Sequence, residues 1–88
     1  GVGGATANAV GQRLSEIAKS SQVLVVTHSP QVAAKGDHHW QVLKTVIDNV
    51  TVSNVIELNP NARINEIARM LSGDKITPEA KAAAKALL

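Results

Sequence analysis

The stretch Gln22–Thr27, QVLVVT, constrains the fold more than any other part of the chain. It is a short, continuous run of apolar, mostly β-branched residues with no polar alternation. Such a run reads as a strand buried on both faces, the kind a parallel sheet carries between covering helices. A helical stripe precedes it. Ala7, Val10, Leu14, Ile17 and Ala18 share one face and predict a helix over Thr6–Lys19, broken by Ser20-Ser21. After the run, Ser29 can cap a short helix, Pro30 suits its first position, and Gly36 ends it. The fold class is therefore α/β. One parallel-type strand is not a sheet, however, and no later segment reads as its parallel neighbour.

From His39 to Leu58 the period changes to two. Trp40, Val42, Lys44 and Val46 alternate with Gln41, Leu43 and Thr45, Asp48-Asn49 supply turn chemistry, and Thr51–Leu58 return as a partner strand. Asn59-Pro60 then open a helix with the stripe Ile64, Ile67, Ala68 and Leu71, which Gly73 stops. Thr77-Pro78 repeat the start signal for a last helix, rich in Ala and Lys, running to Leu88. The expected order is helix, buried strand, short helix, β-hairpin and two C-terminal helices, with no internal repeat or linker.

Composition bears on what this order can bury. Apolar residues make up 44% of the 88, but Trp40 is the single aromatic and cysteine is absent. Disulfides and thiolate metal sites are thereby excluded. The expectation is a thin core of Ala, Val, Ile and Leu with Trp40 serving it, in a chain that is part of something larger. No apolar run approaches the roughly 20 residues that span a bilayer. The absence of cysteine makes a cytosolic location the expectation, and the stretch GVGGATANAV lacks the positive region of a signal peptide. A formal charge of +2 is too small for electrostatics alone to imply nucleic acid.

Several positions carry chemistry. His28 closes the apolar run, and in open α/β sheets ligands bind at the carboxyl ends of strands. An imidazole there, beside a helix start, can donate to a phosphate oxygen or hold a water; it can equally fill a loop. Gly1-Val2-Gly3-Gly4 could bring backbone close to a phosphate, yet no G-x-x-x-x-G-K-[ST] pattern exists in the chain, and a plain N-terminal turn reads as well. Asp37-His38-His39 suggests a metal, but adjacent strand residues point to opposite faces, so a structural or surface role fits better. Arg63, Arg69, Lys75, Lys81 and Lys85 could meet a nucleic-acid backbone, and a solvated helix face explains them equally.

Taken together, GVGGATANAVGQRL followed by QVLVVTHSPQVAA resembles the C-terminal part of the RecN family of bacterial recombination and DNA-repair ATPases. That family belongs to the structural-maintenance-of-chromosomes (SMC) group, whose ATPase heads are like those of ABC transporters. The resemblance runs on through ARINEIARMLSGDKITPEAKAAAKALL and so covers nearly all 88 residues. Its most specific element is T-H-x-P-Q-V-A; Ser29 stands where the family often has Leu.

The resemblance implies that residues 1–88 are the C-terminal portion of a P-loop (ABC/SMC-type) ATPase head. Gly1, Val2, Gly3 and Gly4 match the D-loop, which packs across an ATP-bridged dimer. His28 matches the switch histidine, which reaches the γ-phosphate and the attacking water. The Walker A lysine, signature motif, Walker B acids and coiled coil have no counterpart here. ATP and Mg2+ are therefore expected in a full-length protein and not on these residues alone, and the isolated chain is not expected to be an ATPase. The implied partners are the rest of the head, a second head and DNA, without a membrane, in a cytoplasmic, nucleoid-associated setting. Two alternatives remain: a DNA- or protein-binding module, and a piece of another ABC/SMC-type ATPase such as a transporter subunit. An unpaired strand edge would also favour self-association of the isolated chain.

Overall fold

The computed structural model describes residues 3–88; Gly1 and Val2 of the expected D-loop lie outside the described residues. The order is α1 (Gly4–Ile17), α2 (Pro30–Ala33), β1 (Trp40–Ile47), β2 (Val50–Glu57), α3 (Pro60–Ser72) and α4 (Pro78–Leu87). Mixed helix and sheet is thus the observed class, with the two strands forming one antiparallel hairpin.

Three helices start by one device. Ser29 Oγ accepts from the Val32 amide at 3.3 Å, Asn59 Oδ1 from Ala62 at 2.8 Å, and Thr77 Oγ1 from Ala80 at 3.0 Å. A proline follows each cap, where its missing N–H is no loss. At the far end of α3, Gly73 takes φ 84°, a left-handed value that glycine adopts without strain. The hairpin turns at Asp48 and Asn49, with φ of 50° and 64°. Positive φ at both central residues matches the twist of the flanking strands. Pairing runs from Trp40 opposite Glu57 to Ile47 opposite Val50.

The core is small and helical. Ile67 and Ala68 of α3 are fully buried against Ala80 and Ala84 of α4 and Ala34 beyond α2, with Ile64, Met70 and Leu87 packed around them. Ile67 is the one large side chain fully removed from solvent among the described residues.

Three expectations are corrected here. The buried strand at Gln22–Thr27 does not form: residues 22–29 carry no regular secondary structure, with Leu24 77% and Val26 97% exposed. A strand needs a neighbour for its backbone groups, and β1 and β2 are paired only with each other. Trp40 does not serve the core; it is exposed on the hairpin, where both faces are largely open to solvent. On α1 the expected stripe is only partly covered: Ala7 is buried, Leu14 and Ala18 are half-buried, and Val10 and Ile17 are exposed. The residue buried beside Ala7 is Gly11.

Candidate functional site

His28 sits in the irregular segment that leads into α2, one residue before the cap. Its side chain is exposed, while its neighbours are fixed. The Ser29 amide donates to Thr27 Oγ1 at 2.9 Å, closing a tight turn across His28. Ser29 Oγ accepts from the Val32 amide and also contacts Gln31 Oε1 at 3.2 Å. The hydroxyls of Thr27 and Ser29 thus hold the amides of Ser29 and Val32, which brace the turn on the C-terminal side of His28. Because α2 has only four residues, its dipole is small, and electrostatic help from the helix start is less than the sequence suggested.

Packing of α1 on α2 brings the start of α1 towards this turn. A side chain built on Gly4 would lie 3.5 Å from Gln31 Nε2, so the described part of the glycine stretch faces the residue three beyond His28. Around Gly3 there is open space. Further along, Gly11 permits the close approach of the two helices: a Cβ there would stand 3.2 Å from Val32 Cα and 3.3 Å from Gln31 O. The sequence shows Gly11 only as a glycine within a helical pattern, and nothing local marks it as the contact point.

The other end of α2 is held from α3. The Arg63 guanidinium donates through Nη2 to the carbonyls of Ala33 at 3.2 Å, Ala34 at 3.3 Å and Gly36. Glu66, one turn further along α3, accepts from Gln41 Nε2 on β1 at 2.7 Å and from Arg69 Nε at 2.8 Å. This bond to Glu66 raises the Arg69 pKa, with burial opposing it and the charges of Glu66 and Asp74 adding to it. Both arginines considered for a nucleic-acid contact thus have partners inside the protein, and Lys75, Lys81 and Lys85 remain exposed.

His38 and His39 part company. His38 Nδ1 meets Glu57 Oε1 at 3.0 Å in an exposed pair at the base of the hairpin. His39 is half-buried, and its Nδ1 is buried without a partner among the described residues. Burial lowers its pKa, the Arg63 charge lowers it further, and Glu66 opposes both. A cleft of about 410 Å3 lies beside them, lined by His38, His39, Glu57, Arg63 and Lys85 among others, with no contribution from the Thr27–Gln31 turn. Among the described residues no group of three or more His, Asp or Glu is placed to hold a metal ion, and no helix is long and apolar enough to cross a membrane.

Comparison with known proteins gives the chain its relatives. The DNA repair protein RecN of Xylella fastidiosa strain Temecula1 is 53% identical over 88 residues, 100% of this chain and 16% of the relative. That of Deinococcus radiodurans is 54% identical over 74 residues, 84% of this chain and 13% of the relative. The DNA repair protein RecN of Streptomyces coelicolor is 47% identical over 88 residues, 100% of this chain and 15% of the relative. The chain spans about 16% of the length of the curated relatives it matches, in their C-terminal region. No family model matches it.

Proposed function

From its homology to the C-terminal region of RecN, a DNA repair protein, we propose that the chain completes the nucleotide site of a P-loop (ABC/SMC-type) ATPase head. In this reading residues 1–88 are the C-terminal portion of the head. His28 is its switch histidine, and Gly3 and Gly4, with Gly1 and Val2 before them, belong to the D-loop. The observation that carries the reading is the braced turn: the Thr27 and Ser29 hydroxyls hold the amides of Ser29 and Val32 just after His28 and leave its ring exposed to meet a ligand.

Phosphoryl transfer depends on positioning and on stabilising charge on the transferred group. His28 fits both needs, because a ring N–H can donate to a γ-phosphate oxygen while the fixed backbone keeps the ring near the attacking water. Gly4 at the start of α1 faces Gln31, three residues beyond His28, which puts the D-loop of this reading near the same turn. Thr27, Ser29 and Gln31 offer no carboxylate, so Mg2+ would be held by acids elsewhere in the head. ATP, a second head and DNA are the partners this reading requires, in the cytoplasm at the nucleoid. The isolated 88 residues would hydrolyse nothing.

The experiment is steady-state ATP hydrolysis by the full-length protein carrying this segment. His28→Ala should lower kcat by about a hundredfold, as loss of one transition-state donor does, with KM for ATP little changed. Unchanged turnover in a folded variant would refute the role of His28.

A further inference from the structure

The structure assigns to Arg63 the task of holding His28 in place through α2, an inference that rests on the reading of His28 given above. The two residues are on separate elements, and Arg63 has no place in the T-H-x-P-Q-V-A pattern. What joins them is α2. A helix of four residues is too short to be stable by itself, since nucleation fixes several residues for its first hydrogen bond. Its start is tied by Ser29 Oγ; at its far end the carbonyls of Pro30, Val32 and Ala33 accept from the amides of Ala34, Lys35 and Gly36, and the chain leaves the helix through Ala34–Gly36. Arg63 supplies donors to three of the carbonyls there, those of Ala33, Ala34 and Gly36.

A guanidinium suits this task better than an ammonium. Its planar group aims Nη2 in a fixed direction, so that two N–H groups are shared among the three carbonyls; it stays charged, and its charge complements the negative end of the helix. Hydrogen bonds from charged donors are among the stronger ones. Arg63 itself is fixed, because it lies on α3 between the buried core residues and Asn59, which caps the helix. From Ser29 to Ala34 the helix advances only about 7.5 Å. A shift at the Arg63 end is therefore carried to the residue next to His28 with little room to be absorbed. Arg63 is a positioning residue in this account and does not touch nucleotide.

The test is a double-mutant cycle in the full-length protein, reading kcat and KM for ATP alongside circular dichroism. Arg63→Ala should lower kcat by about ten- to a hundredfold, the cost of a misplacement of roughly an ångström, with KM little changed. Arg63→Lys keeps the charge and should restore part of that loss. In a His28→Ala background neither change should lower kcat further. If Arg63→Ala does not fold, Arg63→Lys carries the cycle alone, with an intermediate loss expected in the native background and none in the His28→Ala background. Full kcat in folded Arg63→Ala, beside a crippled His28→Ala, overturns the positioning role and leaves the His28 reading intact. Losses that multiply in the double variant overturn it as well. Full kcat in His28→Ala overturns the reading of His28 and this inference with it.

Discussion

The helical end and the sheet end of this small protein solve the burial problem unequally. Between α2, α3 and α4, short side chains pack closely enough to bury Ile67 and Ala68 completely. Across the hairpin, Val42, Val46, Val50 and Val55 stay exposed, and the Val23–Val26 run beside α2 makes no ladder at all. The apolar content of the two regions does not explain the contrast. Helices satisfy their own backbone and can bury one stripe against each other, whereas a strand needs neighbours for its backbone and a layer for each face. The hairpin surfaces thus have no covering layer among the described residues, and the helical cluster is what the chain organises by itself.

The strongest way to break the contrast is to remove Ile67. Ile67→Ala should destabilise the chain by about 2–5 kcal/mol, enough to lose cooperative unfolding in a denaturant titration. A smaller loss would mean that the helical cluster is not the source of stability. Next comes the α1–α2 contact. A leucine at position 11 would meet backbone at Val32 and Gln31, so Gly11→Leu should cost about 1–3 kcal/mol in the same titration. If the variant is neutral, α1 does not rest on α2 as described. Thr77→Ala, which deletes the cap of α4, should cost about 1 kcal/mol.

Acid gives a milder effect, set by His39. Its pKa is lowered in the folded state by burial and then by Arg63, so the unfolded chain binds more protons there. This contribution to stability is complete above the unfolded value near pH 6.5 and declines as the pH falls below it. His39→Gln should flatten the dependence of the denaturation midpoint between about pH 7 and 5. The smallest effect belongs to the exposed run: Val26→Ser should change the stability of the isolated chain by no more than about 0.5 kcal/mol. A large loss there would mean that the run is packed after all.

How far the sequence spoke follows the range of the interaction. Ser29-Pro30, Asn59-Pro60 and Thr77-Pro78 announced three helix starts correctly because a cap is made within three residues. Asp48-Asn49 announced the hairpin for the same reason. The Val23–Val26 run carried strand chemistry, but its outcome depends on a neighbour that no local pattern can supply. Gly11 and Arg63 were invisible as a contact point and a brace, since each acquires its role from a residue about twenty to thirty positions away. His28 was legible as a position just before a helix start; the strand end it was read at does not form here. The hydroxyl brace beside it depends on how the turn at Thr27–Ser29 folds, which no spacing of residue types specifies.

The most direct test of the contrast is amide hydrogen exchange, resolved by residue, on the 88-residue chain at low concentration and on the full-length protein. The account predicts strong protection at Ile67 and Ala68 in both samples. At Val23–Val26 it predicts exchange near the unprotected rate in the isolated chain and strong protection in the full-length protein, where the proposed head would supply a neighbouring strand. Protection at Val23–Val26 in the isolated monomer equal to that of α3, or its absence in the full-length protein, would contradict the account.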